Sequence, residues 1–167
     1  GIDPESKTER YSKVGSNYRM PEISAILGRS QLRNLDDFVA HRNDIAKTYN
    51  EQLRGLEENG NVSIVSADYE HQHAYWRYIV KLSSSQNRPT IQRAASKRGI
   101  AVDWPYDPPL HLQPLFKEQF GFEHGILPVT EKAMERHLCL PMHVGLNVSD
   151  AREIGQAVVE ILDEHHD

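Results

Sequence analysis

A single cysteine, Cys139, occurs in 167 residues. No disulfide can form within the chain, and a reducing cytoplasm is the expected compartment. No apolar run approaches the roughly 20 residues that a membrane-spanning helix needs, and no leader-peptide pattern opens the chain. Basic charge is not in excess: 19 Lys and Arg stand against 24 Asp and Glu, a formal net charge of -5. Nucleic-acid binders usually carry a basic field instead. Neither nucleic acid nor membrane is therefore an expected partner. Zinc-ligand spacing, a glycine-rich phosphate loop and a Ser-His-Asp arrangement are all lacking. His71 and His73 form a His-x-His pair, but no Cys, Asp or Glu cluster accompanies them. They read as a polar strand entry, His165 and His166 as a terminal pair, and no metal site is expected. Cys139, inside Leu138-Cys139-Leu140-Pro141, reads as a buried hydrophobe.

What is present suits one globular domain. Charged residues make up 26% and hydrophobic residues 38%, ordinary values for a soluble protein. Residues 1–4 lack an initial Met and read as a cloning scar, and residues 5–20 read as a loop. Pro21 suits the first position of a helix. Apolar residues then recur at helical spacing from Ile23 to Leu56, with a bend or break expected near Asn34–Asp37. Asn59-Gly60 signals a turn. Val62–Val65 and Ala74–Leu82 read as strands, Pro89–Arg98 as a helix stopped by Gly99, and Ile100–Trp104 as a short strand. Residues 105–127, rich in proline, read as a long loop of the kind that carries function. A helix over Pro128–Arg136, a strand over His137–Leu140 and a last helix capped by Ser149 or Asp150 complete the order. Such mixing predicts a small sheet with helices packed on one face.

The run Gly15-Ser16-Asn17-Tyr18-Arg19-Met20, leading into a helix that contains Gln31-Leu32, resembles the Gly-x-Asn-x-Arg-Met segment of the DegT/DnrJ/EryC1/StrS aminotransferases. Arg42 and Tyr49, then Gly99-Ile100, Tyr106 to Pro114, and Leu138 to His143 follow in that family's order. The resemblance covers nearly all of residues 11–164. It implies an α+β fold: the C-terminal small domain (21–167) of an aspartate-aminotransferase-type enzyme. A long N-terminal interdomain helix would lead into a small, mostly antiparallel sheet with packed helices, and residues 5–20 would come from the large-domain side.

The same resemblance implies pyridoxal 5'-phosphate as cofactor, a nucleotide-linked keto sugar as substrate, glutamate as amino donor, and a homodimer sharing each site. It assigns Asn17 to the cofactor phosphate of the neighbouring subunit, and Tyr106 and His111 to the sugar-nucleotide pocket. Arg19, just before the helix, is the second cofactor-binding candidate, because its guanidinium suits a phosphate or a carboxylate, with a surface ion pair as the alternative. Trp104 reads as packing. The Schiff-base lysine falls before the Asn17 segment, outside this chain, so no residue here is expected to be catalytic and the chain alone is expected to be inactive. Two other readings stay open. One is a dehydratase or deoxygenase of the same fold, with histidine replacing that lysine. The other is a stand-alone dimerisation or binding module. The helical stripe from Pro21 to Leu56 is expected to expose an apolar surface that promotes self-association.

Overall fold

A computed structural model of the chain describes residues 18–65, 73–83 and 86–165. The chain divides into two compact units, 1–36 and 37–167. In the first, α1 (Glu22–Leu32) follows Pro21 and buries none of its residues. The expected break is present: α1 ends at Leu32, and α2 (Leu35–Glu58) begins after a turn at Arg33-Asn34.

The second unit is built on a three-stranded antiparallel sheet in the order β1 (Val62–Ile64), β2 (Tyr78–Leu82), β3 (His137–Leu140). The pairs Tyr78↔Leu140 and Val80↔Leu138 fix the central register. Because strand side chains alternate, this register sends Tyr78, Val80, Leu82, Leu138 and Leu140 to one face. All five are buried there with Ile45, Tyr49 and Leu53 of α2, Ile91 and Ala95 of α3 (Arg88–Lys97), and Val158, Ile161 and Leu162 of α6 (Val148–Glu164). Tyr49 and Tyr78 pack at 4.9 Å between ring centroids. Their hydroxyls donate to Pro141 O (2.9 Å) and Asn50 Oδ1 (2.7 Å). Burial pushes both phenols up from their ordinary range.

The expected apolar helical stripe is thus divided. Its second half, from Ile45 to Leu56, is buried against this chain's own sheet and α6, which corrects the expectation of one long exposed surface. Its first half, Ile23, Ile26, Leu27 and Leu32, is exposed.

Helix ends follow local chemistry. Asn87 accepts from Thr90 N to cap α3, and Gly99 takes φ +74 beyond its last turn, a conformation costly for residues with a Cβ. The cap of α6 is Asn147, whose Oδ1 accepts from Asp150 N at 2.8 Å, rather than the expected Ser149 or Asp150. Gly155 lets α6 approach α2 closely. A Cβ there would lie 2.9 Å from Gln52 Cγ and 3.1 Å from Gln52 Cβ.

Three stretches differ from the sequence reading. Residues 74–77 are not strand. Ile100–Trp104 contributes only a single bridge, Asp103↔Cys139. Residues 105–127 are not one loop: they hold a 3-10 turn at Leu110–Leu112 and α4 (Pro114–Phe120). Pro114 opens α4 at a position where its missing N–H costs nothing, and Gly121 ends it at φ +68.

This insertion is fastened to α5 (Pro128–Arg136) by Glu131, which is buried. Its carboxylate accepts from His111 Nε2 (3.0 Å), Gly125 N (2.8 Å), Leu127 N (3.2 Å) and His124 Nε2 (3.2 Å). The His111 hydrogen bond, aided by the two amides and His124, outweighs burial and holds the carboxyl below the ordinary glutamate range. Such a group stabilises the fold above its unfolded pKa, and the contribution is lost as pH falls through the lower folded value.

Glu131→Gln is accordingly expected to lower the urea midpoint at neutral pH. Its gap to the parent chain should close as pH falls below the usual carboxylate range; a gap constant with pH would contradict the assignment. For the helix crossing, Gly155→Ala should lower the melting temperature. Gly55→Ala on α2, where an added Cβ meets nothing within 4 Å, should gain up to about 1 kcal/mol. Thermal melts of the two variants check both signs.

Candidate functional site

The sheet's second face carries what the core does not take. Alternation turns Ile79 and Lys81, with His137 and Cys139 of β3, away from the buried face, and Arg77, just before β2, lines the crevices on the same side. Two crevices open there, of about 320 and 290 Å³, sharing Trp76, Arg77 and Cys139 as a common wall. The first is completed by Ala101–Asp103 and Leu140–Met142. The second runs under α5 past Val65, Pro105, Tyr106, Met134 and His137.

Arg77 is the charge at the centre. Its Nη1 donates to both oxygens of Asp103 (2.9 and 3.1 Å), and its guanidinium lies 4.7 Å from the Trp76 ring centroid. Its Nε is buried with no hydrogen-bond partner. The second crevice has two cationic side chains, Arg77 and Lys81, and no carboxylate in its lining. Aromatic walls at Trp76 and Tyr106 stand beside them. The surface these residues present to the crevice is almost wholly apolar, and the Arg77 guanidinium is already paired with Asp103, so the lining suits a flat ring through stacking and apolar contact. Cys139 is free and buried, as its sequence context predicted. Burial pushes its thiol up, with Asp103 adding to the effect, so it is not an activated nucleophile.

Tyr106 lies at the mouth of the second crevice, 64% exposed, with backbone φ +66. Arg88 braces the chain on both sides of it. The guanidinium sits 5.1 Å from the Trp104 ring centroid, Nη2 donates to Asp107 Oδ2 at 2.8 Å, and Nη1 donates to Met134 O at 2.7 Å. Trp104 packs against the core, as expected for a packing residue. The Pro105 carbonyl lies 3.0 Å from His137 Nε2.

His111 is buried, with Nε2 engaged by Glu131. Arg19 is exposed in the first unit and has no partner among the described residues. Asn17, His71 and His166 lie outside the described residues. Among the described residues, no group of three His, Cys, Asp or Glu is placed to hold a metal ion.

Sequence reasoning passed over Trp76, Arg77, Arg88 and Glu131. Trp76 and Arg77 were absorbed into a strand pattern, although alternation from Tyr78 already turned Arg77 outward. Nothing local marked Arg88 or Glu131, whose partners lie elsewhere in the chain or across a turn.

A Schiff base to pyridoxal phosphate needs a desolvated lysine amine. Lys47, Lys81, Lys97, Lys117 and Lys132 are all exposed. The described residues therefore do not fit the cofactor's covalent anchor.

Comparison with known proteins agrees with this geometry. The model of the DegT/DnrJ/EryC1/StrS aminotransferase family matches residues 1–159. A dTDP-3-amino-3,4,6-trideoxy-alpha-D-glucose transaminase of Micromonospora megalomicea subsp. nigra is 27% identical over 148 residues, covering 89% of this chain and 39% of that protein. A GDP-perosamine synthase of Caulobacter vibrioides is 27% identical over 164 residues, covering 97% of this chain and 42% of that protein. The crystal structure of the aminotransferase TlmJ from Streptoalloteichus hindustanus superposes with a TM-score of 0.73 at 30% identity, covering 86% of this chain and 36% of that one. The chain thus spans about two fifths of the length of the curated relatives it matches. Enzymes of this family depend on pyridoxal phosphate. With a family match across most of its length and the same small α+β architecture, the chain belongs to the DegT/DnrJ/EryC1/StrS aminotransferase family.

Proposed function

We propose that this chain is the substrate-side portion of a pyridoxal-phosphate-dependent aminotransferase that acts on a nucleotide-linked keto sugar, with glutamate as amino donor. The observation that carries the reading is the second crevice: an apolar cleft with aromatic walls at Trp76 and Tyr106, edged by the side-chain stems of Arg77 and Lys81. The relatives named for dTDP- and GDP-linked sugars support the same substrate class.

The cofactor supplies an electron sink for carbanion chemistry, and in this reading its lysine comes from polypeptide outside residues 1–167. Residues 21–167 form the small domain and its connecting helices. Asn17 and Arg19 reach the cofactor phosphate of a second subunit, and the exposed apolar residues of α1 favour such a homodimer. An amide and a guanidinium are both competent phosphate donors. Tyr106 contacts the sugar nucleotide directly. His111 does not line this crevice and its Nε2 is occupied by Glu131, so it acts on the pocket through the segment it fastens. No helix among the described residues is long and apolar enough to cross a membrane, and the cytoplasm is the proposed compartment.

The test is glutamate-dependent formation of 2-oxoglutarate from nucleotide-linked keto sugars. The full-length enzyme with pyridoxal phosphate should turn over, and the 167-residue chain alone should not. Turnover by the chain alone, or none by the full-length enzyme with any such sugar, contradicts the proposal. Tyr106→Ala in the full-length enzyme should raise KM about tenfold, the effect of losing one contact of about 1.4 kcal/mol, and change kcat less.

A further inference from the structure

Tyr106 combines three properties that seldom coincide. It is bulky, it occupies the left-handed region at φ +66, and its side chain is 64% exposed. A large side chain at positive φ is an outlier that persists only where the surroundings over-determine it. An exposed ring gains little from packing, so the conformation is imposed from outside the residue. The imposing groups are identifiable. Arg88 sits 5.1 Å from the Trp104 ring centroid on one side and pairs with Asp107 at 2.8 Å on the other. Its own side chain is only 14% exposed and is tied to α5 through Met134 O. Residues 104 and 107 are thereby fixed to one rigid cation, and the backbone between them has little freedom.

We infer that Arg88 is a positioning residue that holds Tyr106 in its strained outward pose for contact with the substrate, acting through Trp104 and Asp107. This rests on Tyr106 being a substrate contact, as proposed above. The planar guanidinium is the required chemistry, because it stacks on a ring and forms a directed ion pair at the same time. A lysine ammonium is a point charge and does not reproduce both. Asp107 and the Trp104 ring are the groups the guanidinium faces on this segment, and the Met134 carbonyl is the one it faces on α5.

Two measurements test this. In the 167-residue chain, NMR backbone couplings and chemical shifts of Tyr106 report its φ directly. The parent chain should show the left-handed signature. Arg88→Ala, Arg88→Lys and Asp107→Asn should each lose it while signals from the Val80–Leu138 core stay in place. Should Arg88→Ala fail to fold, the other two variants carry the result. Retention of the left-handed φ in the folded Arg88 variants overturns the inference, since a merely structural Arg88 would change stability without moving Tyr106.

In the full-length enzyme, Arg88→Lys and Tyr106→Ala should each raise KM about tenfold, and the double variant should raise it no further. Additive effects in the double variant also overturn the inference. If Tyr106→Ala leaves KM unchanged, the reading of Tyr106 as a substrate contact is what fails. The NMR result then still decides whether Arg88 sets its pose.

Discussion

Everything on this chain's second face depends on how β2 is registered against β3. Opposing Tyr78 to Leu140 and Ile79 to Cys139 sends one alternate set of side chains into the core and the other toward the crevices. A slip of one residue would put Arg77 and Lys81 into the core and leave Tyr78 and Val80 facing water. The register is held by what it buries. The two tyrosines and the aliphatic residues of α2, α3 and α6 leave no comparable alternative, since Arg77 and Lys81 have no buried partner awaiting them. The core therefore builds the site indirectly, by deciding which residues are left over.

The insertion between residues 105 and 127 is secured on different terms. Leu110, Leu115 and Phe120 are mostly exposed, while Leu112, Phe116 and Phe122 are only half-buried, so burial of apolar area is not all that fixes it. Polar hubs do so too: Glu131 collects two imidazoles and two amides, and Arg88 spans Trp104, Asp107 and α5. Directional bonds of this kind set orientation better than apolar contact does, because they fail when geometry drifts. A segment that must present one side chain at a defined angle gains from being held this way.

The sequence was most readable where a single local rule acts. Helical spacing located α2, α5 and α6, and the break between α1 and α2 fell where the stripe lapsed. It was least readable where an outcome depends on a distant partner. Residues 74–77 have strand-like composition, but β3 ends at Leu140 and Pro141 has no N–H to extend the ladder. Ile100–Trp104 failed for a similar reason, finding one bridge only. Proline misled in the insertion: Pro114 was counted toward a loop when it was starting a helix. The cap of α6 was misplaced by two or three residues because Asn147, Ser149 and Asp150 all have capping chemistry. The family resemblance pointed to Tyr106 and its segment. It could not have indicated Arg88 or Glu131, because Asp107 and His111, the side chains they pair with, lie 19 and 20 positions away.

The burial of Cys139 has a practical consequence. The chain has one thiol. That thiol lies on the inner wall of both crevices and is 3% exposed. A thiol-specific reagent in solution is therefore expected to reach it slowly in the folded chain, so its modification rate reports on loosening of this face, with no label or substitution introduced.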